Sequence, residues 1–295
     1  MQTPALMFGI GATRGGTTWL YRYLRRHPQC HLRGVKELHW FNTHEAGRFQ
    51  QRLRVLGAAR ARVAGDLARA GDSARAARLR ARLDDHDTLI ALTQARADHA
   101  AYLRWLEDGR GPEARLVGDI TPAYGLLSEA SLRLMAGLRP VVRFVLILRD
   151  PLRRLWSNIL QSEARRGDAA ALPERARAAM RRFLDGDNPA IAARADYAGM
   201  LTRLDRALAP GALHVAFHER LFSPGGIAAL CAFLGLEPRP APLERRVHSS
   251  ADIPLDPALA DAARARLEPQ YAFMRNRFGG DLPAEWDAHT AKGLT

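Results

Sequence analysis

The stretch Gly11-Ala-Thr-Arg-Gly-Gly-Thr-Thr18 constrains this chain more than any other. It follows the short apolar run Ala5 to Ile10 and leads into Thr17 to Arg26, where Trp19, Leu20, Tyr23 and Leu24 recur at helical spacing. Strand, glycine-rich turn and helix, in that order, open a parallel α/β sheet. In such a turn the backbone N–H groups and the helix N-terminus converge on an anion. The glycines let the backbone come close, and the hydroxyls of Thr17 and Thr18 add donors.

The kind of anion is narrowed by what the loop lacks. A nucleoside-triphosphate loop of the form G-x-x-x-x-G-K-[ST] needs a lysine to span the β- and γ-phosphates. Aligned on Gly11 and Gly16, that position is Thr17. Arg14 sits inside the loop instead, where it would meet a single 5′-phosphate and the group bridging to it. The strongest strand ends in Arg149 before Asp150, so it offers no apolar-run-then-Asp element suited to Mg²⁺. A kinase-like, NTP-dependent transferase is therefore the alternative reading among enzymes.

The alternation continues along the chain. Leu116 to Ile120 reads as a short strand ended by Thr121-Pro122, and Val141 to Leu148 (VVRFVLIL) as a strand covered on both faces. A helix with Pro151 in its first turn runs on towards Arg166. A helix over Tyr197 to Leu208, a strand over Leu213 to Phe217 and helices over Gly226 to Leu234 and Pro257 to Phe278 follow. Residues 44–108, rich in Ala, Arg, Leu and Asp, read as two or three helices inserted beside the sheet. The expectation is one α/β domain over residues 1–295: a P-loop-like central parallel sheet flanked by helices, with a helical insertion at about 44–108.

The net charge of +13 suggests nucleic acid at first, but its distribution does not favour it. Lys36 and Lys292 are the only lysines, and the arginines are spread along Ala-Arg stretches as a GC-rich genome would encode them. An anionic small ligand held by a few arginines is the preferred reading, with an Arg-rich nucleic-acid-binding protein as the alternative from another class. Cys30 and Cys231 have neither metal-ligand spacing nor a disulfide framework. With no leader segment at Met1 and no bilayer-length apolar run, the expected location is the cytoplasm.

A second anion site is expected at Arg149-Asp-Pro-Leu-Arg-Arg-Leu-Trp-Ser157, at the C-terminal end of the strongest strand, where α/β folds bind ligands. Arg149 and Ser157 are placed to face one phosphate, which a planar guanidinium suits. Together, Arg14-Gly-Gly-Thr-Thr18 and Arg149, Pro151, Arg154 and Ser157 closely resemble the two donor-binding motifs of the sulfotransferase family, K/R-x-G-T-T and R-x-P-x-x-R-x-x-S. The resemblance implies 3′-phosphoadenosine 5′-phosphosulfate as donor and adenosine 3′,5′-bisphosphate as product. Arg14, Gly15, Gly16, Thr17 and Thr18 would hold the 5′ end and Arg149 and Ser157 the 3′-phosphate, with Arg154 making structural contacts. Tyr197 with Leu201, His214 to Leu221, Phe233 to Leu236 and the ending Phe278 to Leu282 with Trp286 resemble the family's downstream landmarks. Arg246, in the loop Arg245 to Ser250, is a candidate cover for the adenine and 3′-phosphate.

Val35-Lys-Glu-Leu-His-Trp-Phe41 resembles the K-E-x-H-[FYW]-F segment of Golgi-type carbohydrate sulfotransferases and their bacterial relatives. That resemblance makes Glu37 the general base on the acceptor hydroxyl, Lys36 a nearby cation, and His39 an alternative base or acceptor contact. Sulfuryl transfer of this kind relies on positioning and charge stabilisation and calls for no metal. Gly118-Asp-Ile-Thr-Pro-Ala-Tyr124 resembles the E-K-[ST]-P-x-Y segment of heparan-type enzymes, but Ile120 stands in place of the lysine, which weakens the case for a heparan-like acceptor. A hydroxyl on a carbohydrate, glycolipid or small natural product is the expected acceptor.

Overall fold

The computed structural model describes residues 3–71, 74–241 and 253–286. Five parallel strands form the centre: β1 (Ala5–Gly11), β2 (Cys30–Leu32), β3 (Leu116–Ile120), β4 (Val142–Leu148) and β5 (Leu213–Phe217), in the order β2-β3-β1-β4-β5. The helices in the first half are α1 (Thr17–Arg26), α2 (Trp40–Ala46), α3 (Phe49–Ala68), α4 (Ala74–Gln94), α5 (His99–Glu107) and α6 (Glu129–Ala136). Those in the second half are α7 (Pro151–Ala164), α8 (Leu172–Leu184), α9 (Pro189–Ala195), α10 (Tyr197–Ala207), α11 (His218–Leu221), α12 (Pro224–Leu234) and α13 (Pro257–Phe278). The expected α/β architecture, a parallel sheet flanked by helices, is the one observed.

The strands are largely apolar because both faces of the sheet are covered, with Asp119 of β3 and Arg143 of β4 among the exceptions. Leu6, Phe8 and Ile10 of β1, with Phe144, Leu146 and Leu148 of β4, enter a core shared with α5, α7, α8, α10 and α13. Met7 of β1 and Val145 and Ile147 of β4 point the other way, against Leu20 and Leu24 of α1 and Leu230 of α12. The described residues of 44–108 are mainly helical, but not as one appendage. α3 and α4 pack chiefly on each other, whereas α5 puts Tyr102, Trp105 and Leu106 into the main core.

From β1 the chain runs to β2 at one edge of the sheet, returns through β3, and crosses β1 to reach β4 and β5 on the other side. The crevice at the C-terminal ends of these strands is where such folds bind ligands. With neighbouring strands about 4.8 Å apart, the ends of β3 and β4 lie roughly 10 Å from each other across β1. Three segments converge there: the glycine loop after β1, the turn after β4, and residues 35–39, whose Glu37 N–H donates to the carbonyl of Ile120 at the end of β3.

Candidate functional site

The glycine loop is pressed against β4. Ala12 N–H donates to Ile147 O at 2.7 Å, and Gly15 N–H donates back to Ala12 O at 2.8 Å. A Cβ on Gly15 would lie 2.2 Å from Ile147 O, so only glycine fits. Gly16, at φ 112°, precedes α1 in the left-handed region that side chains avoid, and no side chain caps the helix. The first-turn N–H groups of α1 therefore face the loop without a side-chain acceptor. Thr17, where a triphosphate loop carries its lysine, is almost fully buried.

Arg14 also adopts the left-handed conformation, at φ 71°. Its Nε–H donates to Ser157 Oγ at 2.8 Å across 143 residues, joining the two anion motifs. Arg149 projects from the end of β4, half-buried, and makes no side-chain hydrogen bond or ion pair among the described residues. Burial pushes the pKa of Arg14 down, and the nearby charges of Arg149 and Arg165 add to it. Burial likewise pushes Arg149 down, with Glu219 partly offsetting the effect. Two desolvated cations side by side are what an anion would relieve.

Arg149 and Asp150 are held from three directions. Tyr197 Oη–H donates to Arg149 O at 2.9 Å, Asp150 N–H donates to Glu219 Oε1 at 3.1 Å, and Tyr271 Oη–H donates to Asp150 Oδ2 at 2.9 Å. Asp150 also caps α7, its Oδ1 accepting from Arg153 N at 2.8 Å. Arg154 is fully buried; its Nη1 reaches Asn158 Oδ1 at 3.5 Å, while Nε and Nη2 have no partner among the described residues. His218 Nδ1–H donates to Gly15 O at 2.9 Å, and burial beside Arg149 holds this histidine down at about 4, so it is neutral at pH 7.

On the β3 side, Lys36 Nζ donates to Glu37 Oε1 at 2.6 Å, and His39 Nε2 lies 3.8 Å from Glu37 Oε2. Partial burial raises the carboxyl pKa of Glu37, but contacts with His39 and Lys36 outweigh it and hold the group at about 2. The carboxylate keeps 45% of its side-chain surface exposed, enough to meet a substrate. Glu37 and His39 are both left-handed, at φ 61° and 52°. His39 Nδ1 lies 3.2 Å from Asn42 Oδ1.

Beneath this segment lies a network that sequence reasoning missed. Asp119 is buried at the end of β3 and accepts from Tyr102 Oη (2.8 Å), Thr121 Oγ1 (2.8 Å) and Tyr124 Oη (2.5 Å). Burial raises its pKa, and the three hydroxyl bonds oppose that. Thr121 Oγ1 accepts from His39 N–H at 3.3 Å and Tyr124 Oη from Trp40 N–H at 2.9 Å. The signal was present in Asp119-Ile-Thr-Pro-Ala-Tyr124, where acceptor and donors recur within one turn. Ile120 itself is buried in the core.

The structure thus brings Arg14, Gly15, Gly16, Thr17, Arg149 and Ser157 to one end of β1 and β4, with Thr18 in the first turn of α1. Lys36, Glu37 and His39 lie at the adjoining end of β3. Arg246 and its loop, like Lys292, lie outside the described residues. No helix among the described residues is long and apolar enough to cross a membrane.

Comparison with known proteins places these observations in context. Residues 6–240 match the family model described as the sulfotransferase family. A sulfotransferase from Alicyclobacillus acidocaldarius superposes with a TM-score of 0.63 at 17% identity, covering 97% of this chain and 100% of that one. The sulfotransferase domain of the Synechococcus PCC 7002 olefin synthase gives a TM-score of 0.51 at 20% identity, covering 92% and 94%. Both likenesses concern the fold. No curated protein matches the chain.

Proposed function

The chain belongs to the sulfotransferase family, and from that premise we propose that it transfers a sulfuryl group from 3′-phosphoadenosine 5′-phosphosulfate to an acceptor hydroxyl. The observation that carries the choice of donor is Arg149. It is a half-buried guanidinium without a partner among the described residues, beside Arg14 and Ser157 and one strand from the glycine loop. A loop for a 5′-phosphate together with a separate cationic pocket fits a 3′,5′-substituted nucleotide better than a triphosphate.

In this reading the amides of Gly15, Gly16, Thr17 and Thr18 and the guanidinium of Arg14 hold the 5′ end of the donor. Arg149 and Ser157 hold its 3′-phosphate. The acceptor oxygen attacks sulfur while the bond from sulfur to the bridging phosphate oxygen breaks. Charge builds on that leaving oxygen, where Arg14 and Lys36 stabilise it. Glu37 takes the proton from the acceptor hydroxyl, with His39 holding the carboxylate from its other oxygen. At about 2 the resting carboxylate is a weak base because His39 and Lys36 are both paired with it. Once Lys36 turns to the charge on the donor, Glu37 recovers basicity at the moment it is needed. The acceptor is a hydroxyl on a carbohydrate, glycolipid or natural product, and the reaction is suited to the reducing cytoplasm.

The test uses ³⁵S-labelled donor with a panel of methyl glycosides, glycolipids and phenols. Transfer of label to one class by wild type, with loss of most turnover but unchanged donor affinity in Glu37→Gln, is expected. Full turnover in Glu37→Gln would move the base role to His39, and absence of transfer across the panel and to water would sink the reading.

A further inference from the structure

The segment that carries Glu37 is pinned at several backbone polar groups, and the inserted helices supply some of the pins. At its entry, Gly34 N–H donates to Asp85 Oδ2 of α4 at 2.5 Å, and Arg33 pairs with the same carboxylate at 3.3 Å. At its exit, the Trp40 indole N–H donates to His99 Nδ1 of α5 at 2.9 Å, and its ring stacks on Tyr102 at 4.7 Å. Between them, Arg52 in the first turn of α3 donates Nη2–H to Glu37 O at 2.9 Å and to Leu38 O at 2.8 Å.

These two carbonyls flank the left-handed turn. Left-handed backbone at a residue other than glycine persists only where its surroundings over-determine it. Glu37 and His39 are two such residues with one residue between them. The amides of Glu37, His39 and Trp40 are held by Ile120 O, Thr121 Oγ1 and Tyr124 Oη on the β3 side. On the carbonyl side of Glu37 and Leu38 the holder is Arg52. Burial disfavours its charge, and Tyr124, Asp119 and Glu37 around it act in the opposite direction. Its Nε is buried without a partner among the described residues, so its place is set by those two carbonyls.

We propose that Arg52 is a positioning residue for Glu37, and that through it the helical insertion is part of the active site. The inference rests on Glu37 being the base. Arg52 touches neither donor nor acceptor. It fixes the turn that aims the Glu37 carboxylate between Lys36 and His39 and out towards the crevice.

Hydrogen–deuterium exchange on wild type, Arg52→Met, Arg52→Lys and, as a control on the same hairpin, Arg60→Ala tests this. In Arg52→Met, peptides spanning residues 36–42 should lose protection roughly tenfold, while β1, β4 and the affinity for adenosine 3′,5′-bisphosphate stay as in wild type. Release of label from ³⁵S-labelled donor to water should fall roughly ten- to a hundredfold, as expected for a misplaced group. Arg52→Lys and added guanidinium ion should each restore part of both. Arg60→Ala should match wild type. Unchanged protection over 36–42 in Arg52→Met, or loss spread over the whole sheet in both Arg52 variants, overturns the proposal. A wild type that does not bind the bisphosphate sinks the donor reading instead and leaves the exchange comparison standing.

Discussion

Arg14 Nε–H and Ser157 Oγ, 2.8 Å apart, join the glycine loop after β1 to the helix after β4. In the proposed reading each motif holds one anionic end of the donor, and the hydrogen bond makes them one surface. Ser157→Ala should remove both a ligand for the 3′-phosphate and the group that orients Arg14. Calorimetry should show roughly a ten- to hundredfold loss of affinity for adenosine 3′,5′-bisphosphate. Because the residues act together, the double variant Arg14→Ala/Ser157→Ala should lose less than the sum of the singles, with coupling of about 0.5–3 kcal/mol. Strict additivity would contradict a shared site.

The fit of the loop against β4 gives a second prediction. The Cβ of Gly15→Ala would lie 2.2 Å from the backbone oxygen of Ile147 and 3.0 Å from that of Ala12, and neither is the end of a flexible side chain. The loop must lift. Thermal unfolding should show a loss of about 1–3 kcal/mol, and bisphosphate binding should fall with it. Wild-type stability and affinity in Gly15→Ala would mean that the loop is not pressed on the strand.

Protonation at Glu37 should be shifted by its neighbour. With His39 and, at 2.6 Å, Lys36 beside it the carboxyl is held at about 2, so the base stays ionised and turnover should be flat on the acid side from pH 7 to 5. Lys36→Met removes a cation and leaves burial pushing upward against His39 alone. The acid limb of the pH–rate profile should then move up towards or above the ordinary glutamate value of about 4.3. The ratio of turnover at pH 5 to that at pH 7 reads this directly, and an unchanged ratio would contradict the pairing.

His218 predicts a different pH effect, on stability. Its folded value of about 4 lies below the ordinary histidine value of 6.5, so between these the unfolded chain binds the proton more readily. The contribution is complete above about pH 6.5 and is lost as pH falls towards 4. Melting curves should show that decline, and His218→Gln should flatten it. A decline of the same slope in the variant would assign it elsewhere.

Much of the fold was legible because strands covered on both faces read as continuous apolar runs. Val142–Leu148 and the alternation before and after it stand out for that reason. Cys30–Leu32 did not, because three residues carry no periodicity, and strand order was not legible because pairing across the sheet is non-local. Helices α8 and α9 lie in an Ala-Arg stretch and went unassigned, although Pro173 and the Asn188-Pro189 pair mark their starts. In the candidate site, residues joined by local spacing were visible as motifs. Arg52 was not, being one arginine among many in the insertion; only the fold brings its guanidinium to Glu37 O and Leu38 O. Asp119 was in view within its segment, but its burial beneath three hydroxyls becomes apparent only when β3 and α5 pack.

The most direct test of the donor reading is calorimetric titration of wild type and Arg149→Ala with adenosine 3′,5′-bisphosphate, adenosine 5′-monophosphate and ATP. Wild type should bind the bisphosphate roughly tenfold or more tightly than either other nucleotide, as a charge-assisted phosphate contact warrants, and Arg149→Ala should erase most of that preference. ATP binding more tightly than the bisphosphate, or a preference that survives loss of Arg149, would contradict it.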